Sequence, residues 1–203
     1  MFITFEGIDY SGKSTQAQLL VAKLEQLGRE VLFLREPGGT PVSEKIRLLL
    51  LDTAHRDLTQ LTEVLLFSAA RSQLVARVIA PALTKGTVVV CDRYVDSTMA
   101  YQGYGRGIPL ADIVALNRIA TSGLVPDLTI LVDIPVDEVI IRQQKAGASS
   151  DRMESSGTDF YERVRNGYRC LASAEPKRWH SVDGKKSVQE IHQQLWQFVQ
   201  SRL

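Results

Sequence analysis

The chain has few cysteines, almost no net charge and no long apolar run, and each shortage argues against a class of protein. Its two cysteines, Cys91 and Cys170, lie far apart and suggest neither a disulfide framework nor a metal site. A formal net charge of +1 predicts no broad basic face for nucleic acid. The first apolar run ends at Glu6 without a basic leader, so no secretory signal is expected, and no stretch approaches the ~18 apolar residues of a membrane span. We therefore expect a soluble protein of a reducing compartment such as the cytoplasm.

The sequence does contain short apolar strands that alternate with helical patterns. Strands are predicted at 2–5, 30–34, 87–91, 128–133 and, more weakly, 178–182, and helices at 16–27, 61–83, 112–120, 136–144 and 187–199. This alternation is typical of an α/β fold with a parallel sheet, and the nearly continuous apolar strands indicate that both faces are covered. Because no repeat or boundary is visible, residues 1–203 are predicted to form one domain. The glycine- and serine-rich stretch 146–159 predicts a mobile surface loop.

The first predicted strand runs directly into a phosphate-binding motif. Residues 7–14, GIDYSGKS, fit G-x-x-x-x-G-K-[ST] at every fixed position. In such a loop the backbone N–H groups face anionic oxygens, Lys13 reaches the outer phosphates, and the Ser14 hydroxyl can ligate Mg²⁺. A strand–helix turn without a ligand is the alternative, but strand, motif and helix agree on a nucleoside triphosphate site. The candidate residues are Gly7, Ile8, Asp9, Tyr10, Ser11, Gly12, Lys13, Ser14 and Thr15.

Polar residues that follow the other strands are further candidates, because ligands of such sheets bind beyond the carboxyl ends of the strands. Arg35 and Glu36 follow the second strand, and Asp92 and Arg93 follow the third. One arginine alone is more often a surface ion-pair partner, but two at this edge favour phosphate binding. Asp92 ends its strand in the manner of an acidic residue that holds Mg²⁺ directly or through water, with helix capping as the alternative.

Two segments suit the wall of a second pocket. Phe67 and Arg71 stand at i and i+4 of the long predicted helix, so ring and guanidinium share one face and could sandwich and hydrogen-bond a base. Phe67 by itself would more often be a core residue. The stretch 96–107 is rich in hydrogen-bonding groups and glycine, which suits a pocket wall, although a surface turn would look similar.

The predicted mobile loop has three cations in or beside it, Arg142, Lys145 and Arg152. A loop of this kind can close over a triphosphate and bring positive charge to the transferring group. It could equally be a solvated linker whose charges have no role.

Together these pieces resemble thymidylate kinase of the bacterial type, and the match covers essentially the whole chain. The motifs that support the resemblance are, in order along the chain, EGIDYSGKST, REPGGT, LLFSAARSQ, DRY, STMAYQG and a DRME lid within about 142–157. Many NTPases share the first motif, whereas REPGGT with DRY and YQG at these spacings is far more specific. The resemblance implies a P-loop nucleoside monophosphate kinase fold, a five-stranded parallel sheet wrapped by helices, usually in a homodimer. It also implies transfer of the γ-phosphate of ATP, with Mg²⁺, to dTMP, giving dTDP and ADP in dTTP synthesis.

The resemblance implies a role for each matching residue on the dTMP side. Phe67 stacks on thymine, and Thr98 and Gln102 read the rest of the base. Tyr101 crowds the position of a ribose 2′-hydroxyl, and Arg93 grips the transferring phosphates, together with Arg35 or Arg47. The full set implied for dTMP is Asp9, Glu36, Arg47, Phe67, Arg71, Arg93, Ser97, Thr98, Tyr101 and Gln102.

On the ATP side, the resemblance implies that residues 181–185 border the adenine and that Arg142 joins the P-loop in binding ATP. Ser14 and Asp92 are the implied Mg²⁺ ligands. Many relatives have glycine or a basic residue after Asp9 where this chain has Tyr10, and kinases without a basic residue there take it from the lid. The implied catalytic residues are Lys13, Arg93, Asp9, Arg152 and Lys145.

Three other functions are compatible with parts of the sequence. A kinase of dUMP or AMP is the nearest, because the thymine methyl contributes only ~1 kcal/mol of contact. A GTP-operated switch should carry an N/T-K-x-D motif, which the sequence lacks. A catalytically dead binding module is disfavoured by the intact Lys13, Ser14, Asp92 and Arg93.

Overall fold

A five-stranded parallel sheet forms the centre of the protein, and it confirms the predicted fold class. The computed structural model describes residues 1–55, 57–147, 152–153 and 157–203. The strand order is β2-β3-β1-β4-β5. The strands are β1 Phe2–Glu6, β2 Val31–Arg35, β3 Val88–Asp92, β4 Leu128–Asp133 and β5 Trp179–Asp183.

The register of the sheet brings polar strand ends to one edge. β1 lies between β3 and β4, and Phe5 is level with Asp92 while Glu6 is level with Leu131. In the neighbouring pair, Arg35 is level with Asp92. Because all these strands run in the same direction, the loops after β1, β2 and β3 meet at this edge.

Helices cover both faces of the sheet, as the apolar strands predicted. On one face Ile3, Phe5 and Val90 pack with Leu20 of α1 and Leu195 of α9. The helices and helical turns are α1 Lys13–Gln26, α2 Pro41–Leu51, α3 Gln60–Leu74, a π-helical turn Val75–Ile79, α4 Ala80–Thr84, α5 Val95–Thr98, a second π-helical segment Met99–Gly105, α6 Leu110–Thr121, α7 Val136–Ala146, α8 Thr158–Ala174 and α9 Val188–Gln200.

Several helical stretches differ from the sequence prediction. Helices α2 and α8 were not predicted, and the stretch 96–107 is largely helical. The predicted mobile loop 146–159 is shorter than expected, since α7 includes Ala146 and α8 begins at Thr158. Of that loop, and of the lid at 142–157, residues 148–151 and 154–156 lie outside the described residues.

Local chemistry explains the two missed helices. The Thr40 side chain caps α2 by accepting from the Ser43 N–H, and Pro41 occupies the first helical turn, where its missing N–H costs nothing. α8 buries Phe160, Val164 and Tyr168, spaced four residues apart, among many charged residues. The apolar face of α8 is therefore narrow, and for this reason the helix was not recognised from its mostly polar sequence.

The helix Gln60–Thr84 departs from the expectation that no segment approaches a membrane span. It has 25 residues and a mean hydropathy of 1.3 over its most apolar window, enough by length and composition to cross a membrane. However, it carries Glu63 and Arg71 as buried side chains that hydrogen-bond to neighbouring elements. These buried polar contacts tie one face of the helix into the fold, and 39% of its most apolar window is buried.

Candidate active site

The loop between β1 and α1 has the open geometry of an anion cradle. Gly7 and Gly12 have positive φ values of 144° and 94°, and in the described structure no side chain caps the N-terminus of α1. The first N–H groups of that 14-residue helix are therefore available to a ligand, and the helix dipole favours an anion there. Lys13 is buried beside the loop, with Nζ 4.0 Å from Oδ1 of Asp9.

A divalent cation fits between the start of α1 and the end of β3, beside Ser14 and Asp92. The Ser14 hydroxyl donates to Oδ2 of Asp92, while Oδ1 of Asp92 is buried and has no hydrogen-bond partner among the described residues. An orphaned carboxylate oxygen beside a hydroxyl is an unfinished ligand set of the kind that Mg²⁺ completes with phosphate and water oxygens. Within the described ranges no cluster of three or more His, Cys, Asp or Glu residues offers a closed metal cage.

An open cleft of about 600 Å³ adjoins the phosphate loop. All ten residues proposed from the sequence for the acceptor line it, and Phe67 is half-buried there, not enclosed in the core. Three apolar residues that the sequence did not single out complete the wall. The lining residues are Asp9, Glu36, Pro37, Arg47, Leu51, Phe67, Arg71, Arg93, Ser97, Thr98, Tyr101, Gln102 and Met153.

Arg93 lies between the cleft and the phosphate loop. Its Nη1 donates to the Gly7 carbonyl at 3.0 Å, and its Nη2 donates to Oδ1 of Asp9 at 2.6 Å. The guanidinium also lies 4.9 Å from the centre of the Tyr101 ring. The backbone of Arg93 has a φ of 74°, an unusual conformation for a residue with a side chain. Such strain is typical of positions where function requires a fixed geometry.

Asp9 is held as a carboxylate by its neighbours. Burial alone would raise its pKa, but Arg93 and Lys13, with hydrogen bonds from Tyr161 and Tyr101, lower the pKa to about 2. The Tyr161 and Tyr101 hydroxyls donate to Oδ2 at 2.8 and 3.0 Å. Asp9 is therefore an anion throughout the physiological range and orients the cations around it.

Glu6 is a buried acid behind Arg93 that the sequence analysis missed. Its Oε2 accepts from Ser97 at 2.6 Å and Tyr168 at 2.9 Å, and both hydroxyls accept from Nη1 of Arg93 at 3.2 Å. Burial and then the charge of Asp96 raise the pKa of Glu6 to about 7, although Ser97, Arg93 and Tyr168 oppose the shift. Glu6 therefore supports Arg93 through two hydroxyls. Its position directly after an apolar strand was a signal that could have identified it.

Arg71 is buried on the opposite wall and already has four hydrogen bonds. Its Nε donates to Oε2 of Glu36 at 2.7 Å, and its Nη atoms donate to Thr98, Asn117 and the Tyr94 carbonyl. One of its five N–H groups remains for a ligand. In the part of the chain that the structure describes, Oε1 of Glu36 is buried in the cleft wall without a hydrogen-bond partner, and burial raises the pKa of Glu36 despite Arg71.

The structure distinguishes the two arginines that the sequence left as alternatives. Arg35 is exposed and pairs with Glu44, with 3.0 Å between Nη2 and Oε2, and it does not line the cleft. Arg47 lies in the cleft wall, and its Nη1 donates to the Pro37 carbonyl at 3.2 Å. Arg35 therefore forms a surface ion pair, which was the alternative to phosphate binding for a single arginine.

The three candidate lid cations occupy different places. Arg142 on α7 donates to the carbonyls of Tyr10 and Ser11 at 3.2 and 3.3 Å and to that of Gly184 at 2.8 Å. It thus links the phosphate loop to the turn that follows β5. Lys145 is exposed on the last turn of α7. Arg152 pairs with Glu63 of α3, with 2.7 Å between Nη1 and Oε2, and its Nε donates to the Leu50 carbonyl of α2 at 2.8 Å.

Other supporting residues were also missed. Tyr161 and Tyr168 belong to α8, which the sequence analysis did not predict, so their approach to Asp9 and Glu6 was not foreseen. Glu63 lies in the first turn of α3 and is 1% exposed. An isolated acid on the long apolar helix was the available signal for it.

Comparison with known proteins shows the family to which the chain belongs. The thymidylate kinase family model matches residues 5–195. Thymidylate kinase from Chlorobium luteolum is 52% identical over 95% of this chain and 93% of its own length. That from Chlorobaculum parvum is 48% identical over 99% of this chain and 96% of its own.

A solved structure is similar as well. The crystal structure of thymidylate kinase from Ehrlichia chaffeensis superposes with a TM-score of 0.80, at 36% identity over 98% of both chains. Family model, relatives and solved structure all indicate the same family. The chain therefore belongs to the thymidylate kinase family, and it is an ATP-dependent phosphotransferase that converts dTMP to dTDP on the route to dTTP.

Proposed function

We propose that dTMP occupies the cleft lined by Phe67 and Arg93, and that ATP with Mg²⁺ occupies the phosphate loop. The observation that carries this assignment is the position of Arg93, which contacts Gly7 of the loop and Asp9 of the cleft at once. A guanidinium at that junction is close to both anions. It would therefore neutralise charge on the phosphoryl group as it passes from donor to acceptor.

The walls of the cleft suit a pyrimidine deoxynucleotide. Phe67 offers a half-buried ring for stacking, and Arg71 keeps one N–H for the base edge. Tyr101, hydrogen-bonded to Asp9, stands where it would crowd a ribose 2′-hydroxyl. Asp9 would accept from the 3′-hydroxyl, and Arg47 would add positive charge near the acceptor phosphate.

The acceptor phosphate needs no general base. Its second pKa is about 6, so it is largely a dianion at pH 7. The obstacle is repulsion between two polyanions, and positioning with electrostatic stabilisation overcomes it. Lys13 and Arg93 supply fixed positive charge. Ser14 and Asp92 would hold Mg²⁺, which when bound neutralises charge on the phosphates of ATP.

We assign Arg142 to ATP binding, since it is hydrogen-bonded to Tyr10 and Ser11 of the loop. Lys145 is the lid residue that we propose as the additional catalytic cation, because its flexible side chain is exposed one turn beyond Arg142. Arg152 can contribute to ATP only if it leaves Glu63. Residues 181–185, the end of β5 and the turn after it, are joined to Arg142 through Gly184 and would border the adenine.

A coupled ADP-release assay tests the function directly. With ATP–Mg²⁺, the acceptors are dTMP, dUMP, UMP, dCMP, AMP, GMP and none. We expect fast release with dTMP and formation of dTDP, with UMP excluded by Tyr101. Slow release that is independent of every acceptor would contradict a kinase and favour a nucleotide-operated switch.

Replacing Phe67 with alanine is expected to raise the KM for dTMP by about 10-fold with a smaller change in kcat, since a stacked aromatic contributes on the order of 1–3 kcal/mol. Steady-state kinetics at saturating ATP measure it. Ser72→Ala, an exposed change on the same helix, is the control. An unchanged KM would return Phe67 to a structural role.

We also propose a cytoplasmic homodimer. Helices α2, α3 and α6 pack side by side, and each exposes large apolar side chains, among them Leu48 (72%), Leu65 (46%) and Ile119 (69%). Exposed apolar surface of this kind marks an interface. Sedimentation velocity should give twice the 22.6 kDa chain mass, and Leu65→Glu should lower it to one chain. A wild-type monomer at micromolar concentration would contradict the dimer.

A further inference from the structure

Glu63 is a buried carboxylate at the edge of the acceptor cleft with no role in the phosphoryl transfer described above. It is 1% exposed, and it projects from α3 toward the π-helical segment that carries Gln102. Nε2 of Gln102 donates to Oε1 of Glu63 at 2.8 Å. The guanidinium of Arg106 also donates to this carboxylate, and Nη1 of Arg152 forms an ion pair with its Oε2 at 2.7 Å.

The contact determines which way the Gln102 amide points. A carboxylate only accepts hydrogen bonds, so the amide must turn its NH₂ group toward Glu63. In the flipped orientation the Gln102 carbonyl would face the carboxylate, and two buried acceptors would oppose each other without a proton between them. Arg152, with Nη1 2.7 Å from Oε2, holds the carboxylate in place. Oε1 of Gln102 is therefore the amide oxygen left for a ligand in the cleft.

We propose that Glu63 is a specificity-determining residue, which fixes Gln102 so that the cleft presents a carbonyl acceptor to the base. The proposal rests on the proposed binding of dTMP in this cleft. A carbonyl acceptor selects a base whose ring nitrogen carries a hydrogen, as thymine and uracil do at N3. Cytosine has a lone pair at N3, so its nitrogen would oppose the carbonyl. Glu63 acts through Gln102 and is a positioning residue.

Glu63→Gln tests the inference, since a neutral amide can donate as well as accept and so permits both orientations of Gln102. We expect kcat/KM for dTMP and dUMP to fall together while that for dCMP does not fall. The dTMP:dCMP ratio of kcat/KM should drop about 10-fold, the loss that corresponds to one misplaced hydrogen bond of ~1.4 kcal/mol.

Two further variants separate the orientation of the Gln102 amide from the charge and packing of Glu63. Arg106→Gln removes a partner of the same carboxylate and leaves the Gln102 contact, so the ratio should stay at its wild-type value. In a Gln102→Leu background, Glu63→Gln should no longer change the ratio, because the amide through which it acts is gone. If Glu63→Gln does not fold, Glu63→Asp keeps the charge but withdraws it from Gln102, and the same drop is expected.

The outcomes are distinct. A ratio that stays constant in Glu63→Gln while all rates fall in parallel would overturn the proposal and leave Glu63 as a structural residue. An equal drop in Arg106→Gln, or a drop that persists with Gln102→Leu, would overturn it too. Absence of dTMP phosphorylation by the wild-type enzyme would instead contradict the proposed function, which the same assay reports separately.

Discussion

Replacing Arg93 with alanine is expected to lower kcat for dTMP phosphorylation by about 10³-fold or more, the scale on which an arginine acts in phosphoryl transfer. The guanidinium donates to Gly7 of the phosphate loop and to Asp9 of the cleft, so its loss removes positive charge from the path of the phosphoryl group. ATP binding, which we assign to the loop amides and Lys13, should survive. Turnover and titration calorimetry with ATP–Mg²⁺ measure the two effects.

Loss of stability must be separated from loss of catalysis in this variant. Arg93 is the nearest cation to Asp9, and it is the main reason that the pKa of Asp9 is as low as about 2. Alanine at position 93 therefore also leaves the buried Asp9 carboxylate without its main ion-pair partner, which destabilises the fold. Arg93→Lys keeps a charge but lacks the guanidinium fork, and it should also turn over slowly. Arg165→Ala is the matched control, because Arg165 pairs with Asp133 at a similar side-chain exposure (20%, against 16% for Arg93) outside the cleft. Near-normal turnover in both Arg93 variants would refute the assignment.

Replacing Gly7 with alanine is expected to destabilise the protein by about 2–6 kcal/mol and to abolish tight ATP binding. Backbone strain at positive φ costs roughly 1–3 kcal/mol and overpacking a similar amount. Gly7 has a φ of 144°, and a Cβ there would lie 2.5 Å from the Val132 carbonyl of β4. Because β4 is hydrogen-bonded between β1 and β5, it cannot shift away from the added Cβ, and the phosphate loop must move instead. Urea unfolding and calorimetry with ATP measure the two losses.

Gly28→Ala supplies the comparison for that experiment. Gly28 also has positive φ, at 74°, but a Cβ there would meet no atom within 4 Å. Gly28→Ala should lower the free energy of unfolding only by the cost of backbone strain, roughly 1–2 kcal/mol, and should leave ATP binding intact. If Gly7→Ala cost no more than Gly28→Ala, the close approach to Val132 would not matter to the loop.

The difference between Arg35 and Arg93 illustrates how far sequence reasoning reaches. Both were placed correctly at the ends of adjacent strands, since apolar runs of five residues identify strands well. The sequence could not show that Arg35 pairs with Glu44 of α2, because α2 itself was not predicted. The position of Arg152 was missed for a similar reason, as its partners Glu63 and Leu50 come from two other helices.

The sequence by itself was enough to predict the strands, the loop motif after β1 and ten of the residues that line the cleft, because periodicity and contiguous motifs are local properties of the chain. Only the tertiary structure decided which arginine lies at the junction and which acids support it. Asp9 and Arg93 are 84 residues apart, and Glu6 and Tyr168 are 162 apart. Such pairs form because parallel strands bring their carboxyl ends to one edge of the sheet and because α8 packs across it. Those contacts depend on register and packing across the whole fold, which no local pattern encodes.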